Sequence, residues 1–208
     1  MVDVRLYLFT PPLAAAALEA FAPRLAVALA GGDIASVLAR TAPGAESDLK
    51  RIVATLSEIA APCGAALLIE GDPRLAARLG ADGVHVEGAD AVAEAVASLK
   101  GERIVGAGGL RLRDDAMTAA ELGADYVMFG EPGPDGETPT LTATLERVGW
   151  WAEIFEAPCV AYAAHLEDVS ALAAAGADFV ALGGAIWEAA DPAAAVAEAI
   201  RQAGGAAA

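Results

Sequence analysis

One phrase recurs three times along this chain: Gly80-Ala81-Asp82-Gly83-Val84, Gly123-Ala124-Asp125-Tyr126-Val127 and Gly176-Ala177-Asp178-Phe179-Val180. Each copy follows a run of alanine and leucine at helical spacing and opens a short β-prone run. Glycine readily takes the left-handed conformation that ends a helix, and a short apolar run after it reads as a strand buried on both faces. A junction that repeats implies a βα unit that repeats, and repeated βα units imply a parallel sheet. At 208 residues the sheet is expected to close, giving an α/β, parallel eight-stranded (β/α)8 TIM barrel as a single domain over residues 1–208.

The rest of the chain fits that rhythm. Strands are expected at 5–10, 34–38, 65–70, 83–86, 103–107, 126–129, 159–162 and 179–182, with alanine-rich helices between them. Gly71-Asp72-Pro73 reads as a turn and helix start, because aspartate is a good N-cap and proline is tolerated at the first helical position. The tail, 204–208, is expected to fray. Cys63 and Cys159 each follow a proline before a strand and read as small core residues.

Composition narrows the function. The net charge of −16 argues against nucleic-acid binding, which needs a basic face. No apolar run approaches about 20 uninterrupted residues, and the first residues lack a basic-then-apolar leader, so a cytoplasmic protein without membrane contact is expected. An alanine-faced barrel of this size is a possible homodimer.

Barrels of this kind carry their chemistry at the C-terminal ends of the strands. Gly183-Gly184-Ala185 follows the eighth strand and opens a short helix, where backbone N–H groups could cradle a phosphate or where two glycines could simply turn the chain. Asp72 and Asp90 follow the third and fourth strands; together they could hold Mg2+, and separately each could cap a helix. Arg40, past the second strand, is placed to meet an anion. His165 lies on a loop beside the phosphate cradle, whereas His85, within a strand, reads as a hydrogen-bonded core residue. Arg111 and Arg113 are expected on the outer helix. The loop 131–140 is long enough to be a lid but carries three carboxylates and no lysine or arginine.

The opening Leu6-Tyr7-Leu8-Phe9-Thr10, the Gly71-Asp72 turn, the run from Gly80 to His85 and the two later copies of the phrase together resemble thiamine phosphate synthase and its relative, the thiazole tautomerase. The resemblance spans nearly the whole chain in order. It implies a thiamine-biosynthesis enzyme that joins hydroxymethylpyrimidine diphosphate to thiazole phosphate and releases diphosphate, with Mg2+ on Asp72 and Asp90. It also implies phosphate contacts from Arg40, from Ala163 and Ala164 in place of a glycine pair, and from Gly184 in place of a serine. Other positions depart from the family pattern. Ser36 and Leu38 stand where a glutamine and an arginine are expected, Gly71 for an asparagine, and Gly108 for a serine. Leu110 replaces the tautomerase histidine, and Asp135, Glu137 and Thr138 replace a threonine-rich, lysine-bearing loop.

Each diphosphate donor lost from a buried site is expected to cost about 2–4 kcal/mol. Three readings follow: a divergent thiamine phosphate synthase with a depleted diphosphate site, a barrel acting on another small phosphorylated molecule, or a non-catalytic binding protein.

Overall fold

Parallel strands covered by helices on the outside must be apolar on both faces, and the chain alternates such strands with helices whose buried stripe mixes alanine with leucine, valine and isoleucine. The computed structural model describes residues 4–99, 101–133 and 136–205. Among them lie β1 (Arg5–Phe9), β2 (Ile34–Ala39), β3 (Ala66–Glu70), β4 (Gly83–Glu87), β5 (Ile104–Gly108), β6 (Tyr126–Phe129), β7 (Cys159–Ala163) and β8 (Phe179–Leu182). The helices are α1 (Leu18–Leu29), α2 (Glu46–Ala60), α3 (Pro73–Leu79), α4 (Ala89–Leu99), α5 (Arg113–Glu121), α6 (Leu141–Ile154), α7 (Val169–Ala174), the single turn α8 (Gly184–Trp187) and α9 (Pro192–Gly205). The strands pair in chain order, all parallel, and β8 returns to β1, so the expected closed barrel is what forms.

Alternation along the strands sorts the core into two layers. Tyr7, Phe9, Leu38, Leu68, Tyr126, Met128, Val160 and Ala181 fill the barrel interior. Their neighbours Leu6, Leu8, Val37, Leu67, Val84, Val105, Val127 and Val180 face outward and pack against the helices. Gly106 makes the interior arrangement possible: a Cβ there would fall 2.0 Å from the Tyr126 ring.

The repeated phrase turns out to be a two-ended clamp. At its first residue Gly80, Gly123 and Gly176 have φ of 79°, 98° and 101°, the left-handed region that glycine enters without penalty. Its alanine donates back into the preceding helix, Ala81 to Ala76, Ala124 to Ala119 and Ala177 to Leu172, closing each helix C-terminus. Its aspartate ties the next strand to the last one. Asp82, Asp125 and Asp178 accept the N–H of Leu67, Val105 and Cys159 at 2.8, 2.7 and 2.8 Å. Each aspartate's own N–H donates to the carbonyl of the same residue.

Several expectations shift by a residue. β1 stops at Phe9, β2, β4, β5 and β7 run one residue further than expected, and α9 carries Gly204 and Gly205 in its last turn; residues 206–208 of the expected tail lie outside the described residues. Cys159 is buried as expected, with burial pushing its thiol up to about 12. Cys63 is exposed instead, because Ala61–Cys63 forms a single 3-10 turn on the surface, ended by Gly64 before β3 begins.

Candidate functional site

At the C-terminal end of the barrel a cavity of about 490 Å³ is lined by Phe9, Arg40, Glu70, Gly71, His85, Glu87 and Glu131, with Pro132, Gly133 and Gly136 of the sixth loop across it. Strand geometry puts these groups there. Phe9, Glu70, His85 and Glu87 fall at inward positions at or near the ends of β1, β3 and β4, and Arg40 follows β2. A second cavity, of about 430 Å³, lies between the fifth and sixth loops and shares Glu87, Glu131, Pro132 and Gly133 with the first. The sixth loop is therefore part of the site. Its residues Pro134 and Asp135 lie outside the described residues.

The charge at the mouth is mostly negative. Arg40 is the only lysine or arginine lining the first cavity among the described residues, and its Nε donates to Glu70 at 3.0 Å. Burial lifts the Glu70 carboxyl above its ordinary value, with Arg40 pulling against it. Glu131 is a partly exposed residue whose carboxyl group is buried; burial pushes it up to about 7 even though the Gly109 N–H donates to Oε1 at 2.5 Å. Behind them, in the barrel interior, Tyr7 and Tyr126 share a hydrogen bond of 2.9 Å, and the Tyr126 hydroxyl meets His85 Nδ1 at 3.0 Å. His85 is 5% exposed, and burial brings its imidazole down to about 4, so the ring is neutral at pH 7.

Of the residues expected from the sequence to hold phosphate or metal, Arg40 alone lines the first cavity. Asp72 caps α3, accepting the Arg74 N–H at 2.8 Å, and is exposed. Asp90 is exposed in the first turn of α4. β3 and β4 are neighbours in the barrel, so the two aspartates follow adjacent strand ends. Ala163 is buried and turned outward into the layer beneath the helices, and Ala164 is exposed. His165 is exposed; its backbone N–H donates to Asp168, opening a short 3-10 turn. Gly183 and Gly184 begin α8, where a Cβ on Gly183 would fall 2.8 Å from the Tyr162 hydroxyl and one on Gly184 3.2 Å from a Glu188 carboxylate oxygen.

Arg111 lines the second cavity, whereas Arg113 stacks its guanidinium over the Trp150 ring at 4.6 Å, on the outer helices as expected. Arg147 donates to the carbonyls of Leu110 and Arg111, bracing the fifth loop against α6. His85 proves to be both a hydrogen-bonded core residue and a wall of the cavity. Sequence reasoning gave no role to Tyr7, Tyr126, Glu70 or Glu87, although Glu70 and Glu87 fall at the strand ends where function is expected. The available signal, a charged side chain ending an otherwise apolar strand, marked Glu70 and Glu87 only; Tyr126 opens β6 and Tyr7 lies within β1, so nothing marked those two.

Residues 6–186 match the thiamine monophosphate synthase family. A thiamine-phosphate synthase of Rhodospirillum centenum is 43% identical over 202 residues, covering 95% of this chain and 97% of its own. One of Hyphomonas neptunium is 36% identical, covering 92% and 90%. Among solved structures, a thiamine phosphate pyrophosphorylase from Pyrococcus furiosus superposes with a TM-score of 0.82 at 22% identity, over 99% of this chain and 98% of that one. A 3-hexulose-6-phosphate synthase superposes with a TM-score of 0.70 at 21% identity, over 96% and 99%; these two likenesses show the fold.

Proposed function

The chain belongs to the thiamine monophosphate synthase family, and from that premise we propose that it is a thiamine phosphate synthase-type transferase of thiamine biosynthesis. In the reaction, the bond between the pyrimidine methylene carbon and the diphosphate oxygen breaks, and diphosphate leaves with the electron pair. The thiazole nitrogen lone pair then forms the new carbon–nitrogen bond. The observation that carries the reading is positional: Arg40, Asp72 and Asp90 follow the C-terminal ends of three consecutive strands, β2, β3 and β4, around the mouth.

The two aspartates suit Mg2+ in kind. Both are exposed hard-oxygen donors, Asp72 uses one oxygen on its cap and keeps the other, and Mg2+ needs only one or two carboxylates beside water and phosphate. Among the described residues no group of three or more histidine, cysteine, aspartate or glutamate side chains is arranged to hold a metal; the resemblance points to Asp72 and Asp90 as the pair that would hold it, with water and phosphate oxygens completing the shell. When bound, the ion would neutralise charge building on the departing diphosphate. Arg40 would hold a phosphate through the guanidinium nitrogens that Glu70 leaves free. Glu87 and Glu131, across the cavity, favour positive charge developing on the pyrimidine, and Phe9 gives it an apolar wall.

Purified protein, Mg2+, hydroxymethylpyrimidine diphosphate and thiazole phosphate, followed by mass spectrometry, test this. Thiamine phosphate is the expected product, with Asp72→Ala and Asp90→Ala each slowing it by about 10²-fold or more. No product from folded wild-type protein overturns the assignment. One observation favours a second reading in that event. Among the described residues the first cavity carries Glu70, Glu87 and Glu131 against one arginine that is already paired, which suits a barrel with a different or lost activity on a small phosphorylated ligand. Protection of the inactive protein against thermal unfolding by thiazole phosphate would support it.

A further inference from the structure

The ring of outer helices has one open joint. α1 packs on α2, α2 on α3, α3 on α4, α4 on α5 and α6 on α7, and α9 closes the ring against α7 and α1. Between α5 and α6 no comparable packing exists among the described residues, although β5 and β6 beneath them are paired. Side chains bridge the joint instead. Arg113 lays its guanidinium over the Trp150 ring, and Arg147 reaches the carbonyls of Leu110 and Arg111.

The joint is also where apolar surface is left in water. Val27, Leu112, Leu122, Leu141 and Ile154 are the exposed large hydrophobic residues among those described, and all but Val27 lie at the ends of α5 and α6. Leu112, 64% exposed, stands at the head of α5 beside Arg113. Ile154, 61% exposed, shares a helix face with half-buried Trp150, four residues earlier. Exposed apolar residues scattered singly are ordinary, but a group flanking an unpacked joint marks an interaction surface.

The charges on the same face point to a second copy of the chain. Glu146 and Glu153 are exposed and lie four residues before and three after Trp150, on its side of α6. Among the described residues neither glutamate forms an ion pair within the chain, and nor does Arg113. Both signs therefore stand unpaired around one tryptophan. Nucleic acid, an anionic membrane or a strongly acidic protein would meet the glutamates, and a basic partner would meet Arg113. A copy turned about a two-fold axis presents both signs at once, so that Arg113 of each meets Glu153 of the other.

We propose that the α5–α6 joint is a self-docking surface that pairs two copies of this chain about a two-fold axis across Trp150 and Ile154. α6 has 14 residues and is about 21 Å long. With α5 beside it the face measures roughly 20 Å each way, at the small end of specific interfaces, so a micromolar dissociation constant is expected. Such pairing is independent of the mouth and of turnover.

Sedimentation velocity on the full chain tests this, from about 1 to 200 µM in about 150 mM NaCl, where repulsion between two acidic copies is screened beyond about 8 Å. A monomer–dimer equilibrium in the micromolar range is expected. Ile154→Glu, at an exposed position, is expected to weaken it at least about tenfold while leaving the urea midpoint unchanged. Arg113→Glu and Glu153→Arg are each expected to weaken it at least about tenfold, because each sets like charges together twice across the axis. Mixed with one another, these two variants are expected to pair at near wild-type affinity, since every contact across the axis then joins opposite signs. Loss of packing or of folding in either variant would not produce that recovery. A chain that stays monomeric to about 200 µM overturns the proposal and leaves the joint to a different partner. Dimers indifferent to Ile154→Glu use another face and overturn it equally. Failure of the mixed variants to associate, or assemblies that grow beyond two copies, overturns the two-fold pairing and the proposal with it.

Discussion

His85 and Glu131 face the same spot at Gly108, and folding moves their titrations in opposite senses. His85 falls from an ordinary value near 6.5 to about 4. Its contribution to stability is therefore complete above pH 6.5 and is lost as pH falls through 4. Glu131 rises from 4.5 to about 7, so its contribution is complete below pH 4.5 and is lost as pH rises through 7. Between pH 4.5 and 6.5 the two slopes oppose each other. Removing one exposes the other: in Glu131→Gln, unfolding free energy by urea denaturation should drop by about 2 kcal/mol more than in wild type between pH 6.5 and 4.5. Parallel pH profiles for the two proteins would refute the pairing. Tyr126→Phe, which strands the Tyr7 hydroxyl and leaves Nδ1 unpartnered, should cost about 1–3 kcal/mol at pH 7 in the same assay. Little of this was legible in the sequence. Arg40 could be placed because it follows a strand end, but strands that are apolar on both faces do not show which residues point inward. The partners Tyr7, Tyr126 and His85 also lie 119 and 41 positions apart.

The βα junction was legible because its physics is local. A helix that stops needs a left-handed residue, and the strand that follows must be apolar, so three copies of one phrase revealed the unit and its repetition set the fold. The aspartate's task was not legible, since it bonds to a strand 15 to 20 positions earlier in the chain. Nor was the exposure of Cys63, because a proline before a cysteine looks the same at a surface turn as at a strand entry. The glycines of the phrase make separable predictions. Gly80 has open space where a Cβ would sit, so Gly80→Ala should cost only the left-handed backbone, about 1–2 kcal/mol. At Gly176 the Cβ would also fall 2.6 Å from Ala152 Cβ, between α7 and α6, adding about 1–3 kcal/mol of overpacking. Denaturant midpoints of the two variants should rank accordingly, and equal losses would mean that the α6–α7 contact yields freely. Asp125→Ala, which leaves the Val105 N–H without its carboxylate, should cost about 1–3 kcal/mol by the same measurement.

At the scale of the whole molecule, 29 acidic residues against 13 basic ones surround a site proposed to admit a diphosphate. A phosphate-binding enzyme commonly gathers its substrate by attraction, and added salt then slows association by screening it. Here the long-range field has the opposite sign, and Arg40 at the mouth is engaged with Glu70, so it adds little attraction at a distance. Screening should therefore help. The Debye length shrinks from about 30 Å at 0.01 M salt to about 8 Å at 0.15 M, less than the span of the barrel, so repulsion from the outer helices should largely vanish over that range. For hydroxymethylpyrimidine diphosphate at fixed Mg2+, kcat/KM should rise severalfold between about 10 and 150 mM NaCl. The stability of the fold to urea, which involves no approaching anion, is the control: a change there over the same salt range would be subtracted before the rise is read as screening. A kcat/KM that falls with salt would mean that cations local to the mouth outweigh the global charge and that the diphosphate meets a positive path to the site.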